Sequence, residues 1–285
     1  MARLLPLMEV NHTVAASNWW DDIDESPEWQ ESIFYTLSVA YAVVGFVALV
    51  QLFRIQLRVP EYGWTTQKVF HLLNFLVNGL RAVLFGMYKK VFLLKPPVLG
   101  MALLDAPGLL FFSTYTLLVL FWAEIYHQAR SLPINNLRPT YLAVNGAIYL
   151  VQVSLWVFLH LNHGAVALEM SKLFLSVVSF IAAVGFLIYG GRLFIMLRRF
   201  PIESRGRQKK LNEVGFVTGI CCTCFLVRCF VVALSAFNKD ADLDVLDHPV
   251  LNFIYYMAVE ILPSALLLFE PVRMSKDGTL DIPSR

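Results

Sequence analysis

The chain has 285 residues, of which 58% are hydrophobic and only 15% charged. A soluble globular domain of that composition would carry too apolar a surface, so the class is a polytopic membrane protein. The net charge of +2 does not by itself imply nucleic acid, and no DNA- or RNA-binding motif occurs, so no direct nucleic-acid partner is expected.

Residues 1–32 form a polar, acidic segment in which Asp21, Asp22, Asp24, Glu25, Glu28 and Glu31 sit among Trp19, Trp20 and Trp29. Leu4, Leu5, Leu7 and Met8 are apolar, but Pro6 and Glu9 cut that run short of a signal peptide. The first spanning helix is then the targeting signal. Asn11-His12-Thr13 fits the N-glycosylation acceptor pattern, with chance occurrence as the competing reading.

Seven apolar segments follow at roughly 33–53, 69–88, 107–126, 141–161, 172–197, 213–236 and 249–269, a transmembrane domain over 33–269. At about 1.5 Å per residue each can cross about 30 Å of hydrocarbon. The second is the least apolar, with His71, Asn74, Asn78 and Arg81. The third begins at Pro107-Gly108, unless that pair is a kink inside a longer helix. The sixth holds all four cysteines, Cys221, Cys222, Cys224 and Cys229, which read as small apolar filler. No repeat is visible, and the short connections leave no room for an inserted soluble domain. Residues 270–285 form a tail.

Lysine and arginine placement predicts orientation. One side carries Arg54, Arg58, Arg130, Arg138, Arg192, Arg198, Arg199, Arg205, Arg207, Lys209, Lys210, Arg273, Lys276 and Arg285, which is fourteen. The other carries Arg3, Lys89, Lys90, Lys95, Lys172 and Lys239, which is six. The expected fold is therefore an all-α seven-helix bundle of GPCR-like topology, with the N-terminus lumenal and the tail cytosolic.

The seventh segment carries one carboxylate, Glu260, in an otherwise apolar run, and such a group needs a partner inside the protein. Pro263 is expected to remove one helix hydrogen bond and kink the helix just past it. Arg81 and Arg228 lie at matching depths, about 10 and 12 Å below the outer ends of their helices against about 16 Å for Glu260. Asp105, at the mouth of the third helix, can join them. Asn74, Asn78 and Arg81 share one helix face, as do Asn145 and Gln152 in the fourth helix. Polar faces of spanning helices point inward. They can line a ligand or ion cavity, or serve as interhelical glue; both readings stand at this point.

Arg198, Arg199, Arg205, Arg207, Lys209 and Lys210 form the densest charge on the chain. They read as a topology signal attracted to anionic membrane lipids, as a docking site for a cytosolic partner, or as both. Pro201 and Gly206 should break the helix there, leaving a flexible basic segment. No catalytic motif, metal-ligand spacing or cofactor cradle is found, so no enzyme, metal or cofactor is expected. The Asp-Arg-Tyr and N-P-x-x-Y hallmarks of rhodopsin-like receptors are missing too.

Four stretches resemble the plant tobamovirus multiplication proteins: W-W-D-D-I-D-E-S-P-E-W-Q near the N-terminus, F-H-L-L-N-F-L-V-N-G-L-R-A in the second helix, L-L-D-A-P-G-L-L-F-F-S-T-Y-T-L-L-V-L-F-W-A-E-I-Y-H-Q-A-R in the third and Y-Y-M-A-V-E-I-L-P-S-A-L in the seventh. The resemblance covers nearly the whole chain. It implies a seven-helix, receptor-like protein of the vacuolar membrane. It further implies a host factor that tethers the tobamovirus replication protein through its helicase region, together with an Arf-like small GTPase, and a distant kinship with an animal orphan receptor family of lysosomes. It supplies no catalytic residue. A non-enzymatic membrane scaffold is the leading expectation, a ligand-sensing receptor with a cavity near Arg81, Arg228 and Glu260 the alternative, and a transporter the third.

Overall fold

The structure, a computed structural model, describes residues 27–58, 65–91, 97–162, 165–199, 205–237 and 249–268. Residues 1–26, with Asn11, and the 270–285 tail lie outside the described residues. Seven long helices account for nearly all the rest: α1 Pro27–Arg58, α2 Thr66–Gly86, α3 Pro97–Ala129, α4 Leu137–Asn162, α5 Ala165–Arg199, α6 Arg205–Phe237 and α7 from Pro249. A single turn, Tyr88–Val91, follows α2. All seven are long and apolar enough to cross a membrane. Below, the N-terminal end of the bundle is the end where α1 begins, and the C-terminal end is the opposite one.

The helix starts follow local chemistry. α1, α3 and α7 each open on a proline, which has no N–H to waste in a first turn. Thr65 caps α2 by accepting from the Lys68 N–H at 3.3 Å. α3 closes with Leu132 N–H on His127 O at 2.9 Å and Ser131 N–H on Gln128 O at 3.1 Å, with Ser131 left-handed at φ 54°.

One boundary left open is settled and another differs from expectation. α3 begins at Pro97 and runs through Pro107, so Pro107-Gly108 lies inside a longer helix, the second of the two readings of that pair. α5 extends to Arg199 and α6 starts at Arg205, so the backbone carrying Arg205, Arg207, Lys209 and Lys210 is helical instead of a flexible segment. An apolar run marks only the part of a helix in hydrocarbon, whereas its backbone hydrogen bonds continue into polar flanks wherever no proline intervenes.

α3 is the most enclosed helix and α4 the least. An aromatic core lies between α3, α5 and α6. Tyr115 meets Phe225 at 5.1 Å and Phe186 at 6.0 Å between ring centroids, and Trp122 meets Phe186 at 5.6 Å. A second cluster joins α1, α2 and α7 through Phe34, Tyr41, Phe85 and Leu268. Glycines set the closest approaches. A Cβ on Gly190 would run into the Thr218 side chain, and one on Gly215 would meet the Phe194 ring at 2.9 Å, so each glycine makes room for a side chain of the facing helix where α5 and α6 pack towards the C-terminal end.

Candidate functional site

Glu260 sits where α7 leaves regular geometry. Pro249–Tyr256 is α-helix, Met257–Ile261 is a π-turn, and α geometry returns over 262–268. Leu262 N–H reaches back to Met257 O, one residue further than in an α-helix. Pro263 cannot continue that pattern to Ala258 O, because it has no N–H. The Ala258 carbonyl instead receives the Cys224 thiol of α6 at 3.7 Å. The irregularity predicted just past the carboxylate thus encloses the carboxylate itself.

Both Glu260 oxygens are used. Arg81 Nε donates to Oε2 at 2.9 Å and Arg81 Nη2 to Oε1 at 2.8 Å, a bidentate pair. Arg228 Nη1 donates to Oε1 at 2.9 Å and the Tyr41 hydroxyl to Oε2 at 2.8 Å. Helices α1, α2, α6 and α7 therefore meet on one carboxylate that is only 1% exposed. Arg81 also donates from Nη1 to Leu104 O of α3 at 3.4 Å, and lies over the Tyr256 ring at 4.9 Å from Cζ to centroid. The Arg228 guanidinium lies against α3 at Gly108: a Cβ there would meet its Nη2. In a membrane interior such charges persist only when each is held by the others.

Asp105 does not join this ion pair. It accepts from Trp156 Nε1 at 3.1 Å and Gln152 Nε2 at 3.5 Å, both on α4. It stays within electrostatic range of Arg228, Arg81 and Lys172. Gln152 also donates to Ser171 Oγ of α5 at 2.9 Å. Asn145 serves as glue: its Oδ1 accepts from Ser113 Oγ at 2.8 Å, and its Nδ2 donates to Tyr141 O at 2.9 Å. Asn74 and Asn78 donate to carbonyls of their own helix, Phe70 O at 2.9 Å and Asn74 O at 2.7 Å, which leaves no amide hydrogen bond to another helix among those seen. His71, fully buried on the same face, has no partner for either ring nitrogen among the described residues.

The basic residues fall at the C-terminal end, away from this cluster. Arg198 is exposed in the last turn of α5. Arg199 closes that helix, and Arg205, Arg207, Lys209 and Lys210 occupy the first two turns of α6. Arg138 of α4 pairs with Glu124 of α3 at 2.9 Å at this same end.

Sequence reasoning missed Tyr41, Gly108, Trp156 and Ser171. Trp156 had a signal, since it stands four residues after Gln152 on the same face. Tyr41 had none, because an aromatic in a spanning helix is ordinary. Gly108 was visible only as half of a pair that read as a helix start or an interruption within a longer helix.

Comparison with known proteins covers the same helices. Residues 15–277 match the THH1/TOM1/TOM3 domain. The chain is 66% identical over 267 residues to "Tobamovirus multiplication protein 1" of Nicotiana tabacum, covering 93% of each chain. It is 67% identical over 257 residues to "Tobamovirus multiplication protein 1" of Arabidopsis thaliana, covering 90% of this chain and 88% of the relative. It is 58% identical over 262 residues to "Tobamovirus multiplication protein 3" of Arabidopsis thaliana, covering 92% and 86%. No solved structure matches.

Proposed function

The chain belongs to the THH1/TOM1/TOM3 domain family of tobamovirus multiplication proteins, and from that premise we propose that it is a non-enzymatic membrane scaffold and host factor. It holds the tobamovirus replication protein, through its helicase region, on the vacuolar membrane, together with an Arf-like small GTPase. Its N-terminus is lumenal and its tail cytosolic, as the distribution of cations argues. The relatives' names support the link to virus multiplication.

The observation that carries the reading is the basic rim where α5 ends and α6 begins. A cationic surface beside the membrane speeds the capture of an acidic partner face, and less charged neighbours supply specificity. The backbone is already helical up to Arg199 and again from Arg205, which lowers the ordering cost of binding there.

Replacing Arg205, Arg207, Lys209 and Lys210 by Ser tests it, with Arg192, Arg198 and Arg199 kept to preserve orientation. Pull-down of the replication protein and the GTPase from membranes with equal amounts of each variant should fall. The loss should be greatest at low salt, where screening is weakest. Undiminished binding at every salt concentration removes the rim from the mechanism. A protease-protection assay with tags at both ends tests the orientation: digestion of the N-terminal tag in sealed vesicles overturns it.

A further inference from the structure

The arginines of the spanning helices differ in where they point. Arg81 and Arg228 are buried on Glu260, whereas Arg192 of α5 is exposed on the outside of the bundle. Arg192 lies four residues before Met196, where the apolar stretch of α5 ends, so its Cα is about 6 Å inside that end. It makes no hydrogen bond or ion pair among the described residues. Ile181, Gly185, Ile188 and Arg192 recur at i, i+4, i+7 and i+11, one stripe along the helix. Ile181 is 53% and Ile188 43% exposed, and a Cβ on Gly185 between them would meet nothing within 4 Å. α5 meets its neighbours through other positions: Ser176, Phe186 and Gly190 reach α6 or α3, and Ser171 reaches α4. The stripe is therefore an exposed apolar strip, dented at Gly185 and closed towards the C-terminal end by an unpaired cation.

We propose that this strip seats an anionic glycerophospholipid in the leaflet at the C-terminal end, with its phosphate on Arg192 and an acyl chain in the dent at Gly185. An arginine at that depth lays its stem along apolar surface and carries its guanidinium up to the headgroup layer. The planar guanidinium can hold two phosphate oxygens at once. Arg198, also exposed, stands six residues on, about 9 Å further along the axis, and adds positive potential beside the headgroup. No carboxylate of α5 offsets it, since Glu169, the acidic residue of this helix, lies at the opposite end. A zwitterionic headgroup carries its own cation beside the phosphate and gains less from the arginine. The dent brings the chain close to the backbone, and the cation at its end selects the headgroup. Arg54 of α1 supplies the contrast. It is exposed at the same end, next to exposed Phe53, but Gly45, the glycine of its helix, is packed on Asn78 and leaves no dent. The site goes beyond the scaffold reading and does not depend on it.

The test uses the full chain purified in detergent, titrated with phosphatidylinositol, phosphatidylserine or phosphatidylcholine of matched acyl chains, with bound lipid read by native mass spectrometry. Both anionic lipids should bind about tenfold more tightly than phosphatidylcholine. Glycerol 3-phosphate, a headgroup without chains, should not displace them. Arg192→Gln should weaken the anionic lipids about fivefold, the weight of one cation at an anionic surface. Arg192→Lys should weaken them less, and Arg54→Gln should leave them unchanged. Gly185→Leu fills the dent at unchanged charge and should weaken them severalfold, which a purely electrostatic attraction would not show. If that variant does not fold, Ile181→Ala combined with Ile188→Ala strips the chain contacts in its place. The proposal is overturned if phosphatidylcholine binds as tightly or if glycerol 3-phosphate displaces the lipid. It is equally overturned if Arg54→Gln weakens binding as much as Arg192→Gln, or if the folded dent or strip variant binds anionic lipid as well as wild type.

Discussion

Two halves of the bundle are held together in different ways. Towards the N-terminal end, four helices meet on Glu260 through directional bonds, each with a single donor atom. Below it, α3, α5 and α6 pack rings, and Tyr115, Phe186 and Phe225 each touch at least two other rings. Ring packing is redundant, because a neighbour can shift to refill lost volume. A buried ion network is not: losing one member leaves an uncompensated charge where water cannot reach. The aromatic half can therefore absorb sequence change, while the charged half fixes which helices meet.

The largest expected effect breaks the charged half directly. Glu260→Gln leaves Arg81 and Arg228 with no paired anion and should cost about 3–5 kcal/mol of stability in detergent unfolding. Replacing Glu260, Arg81 and Arg228 together by Leu or Met should recover most of that loss, because a buried ion network and an apolar core of equal volume are often close in energy. If the triple variant is no more stable than Glu260→Gln, the penalty does not come from unpaired charge.

Gly108→Ala tests the path that Arg228 takes. The added Cβ meets Nη2, so Arg228 must withdraw while the Arg81–Glu260 pair survives. The expected cost is about 1–3 kcal/mol, in the range of overpacking, and it should largely vanish in an Arg228→Met background. Equal costs in both backgrounds would mean that Gly108 serves something other than Arg228.

Phe225→Leu probes the aromatic half and should cost about 1 kcal/mol, since Phe186 and Tyr115 can close on the smaller side chain. A loss near that of Glu260→Gln would overturn the contrast between the halves. Tyr41→Phe should have the smallest effect. It removes one interhelical hydrogen bond, worth about 0.6 kcal/mol in a membrane protein, and both arginines remain on Glu260. A loss above about 2 kcal/mol, read in the same assay, would make Tyr41 an essential member of the network.

Much of this protein was legible in one dimension. Apolar runs of spanning length determined seven helices, since backbone in hydrocarbon must pair within itself and runs of about twenty residues are too long for barrel strands. The presence of Glu260, Arg81 and Arg228 in those runs determined that they would seek one another, because an isolated charge there has no other relief. Family membership was readable from stretches such as the third-helix L-L-D-A-P-G-L-L.

What the sequence left open was decided by three-dimensional fit. Asp105 took Trp156 and Gln152 and left the arginines to Glu260. Asn74 and Asn78 turned their amides onto their own helix, where a carbonyl lay within reach. Gly108 leaves the room that the Arg228 guanidinium occupies. The basic stretch proved helical up to Arg199 and again from Arg205. Each outcome depends on which side chains stand within about 3 Å after the helices have packed, and that distance depends on helix rotation and close approach, which spacing along the chain does not contain.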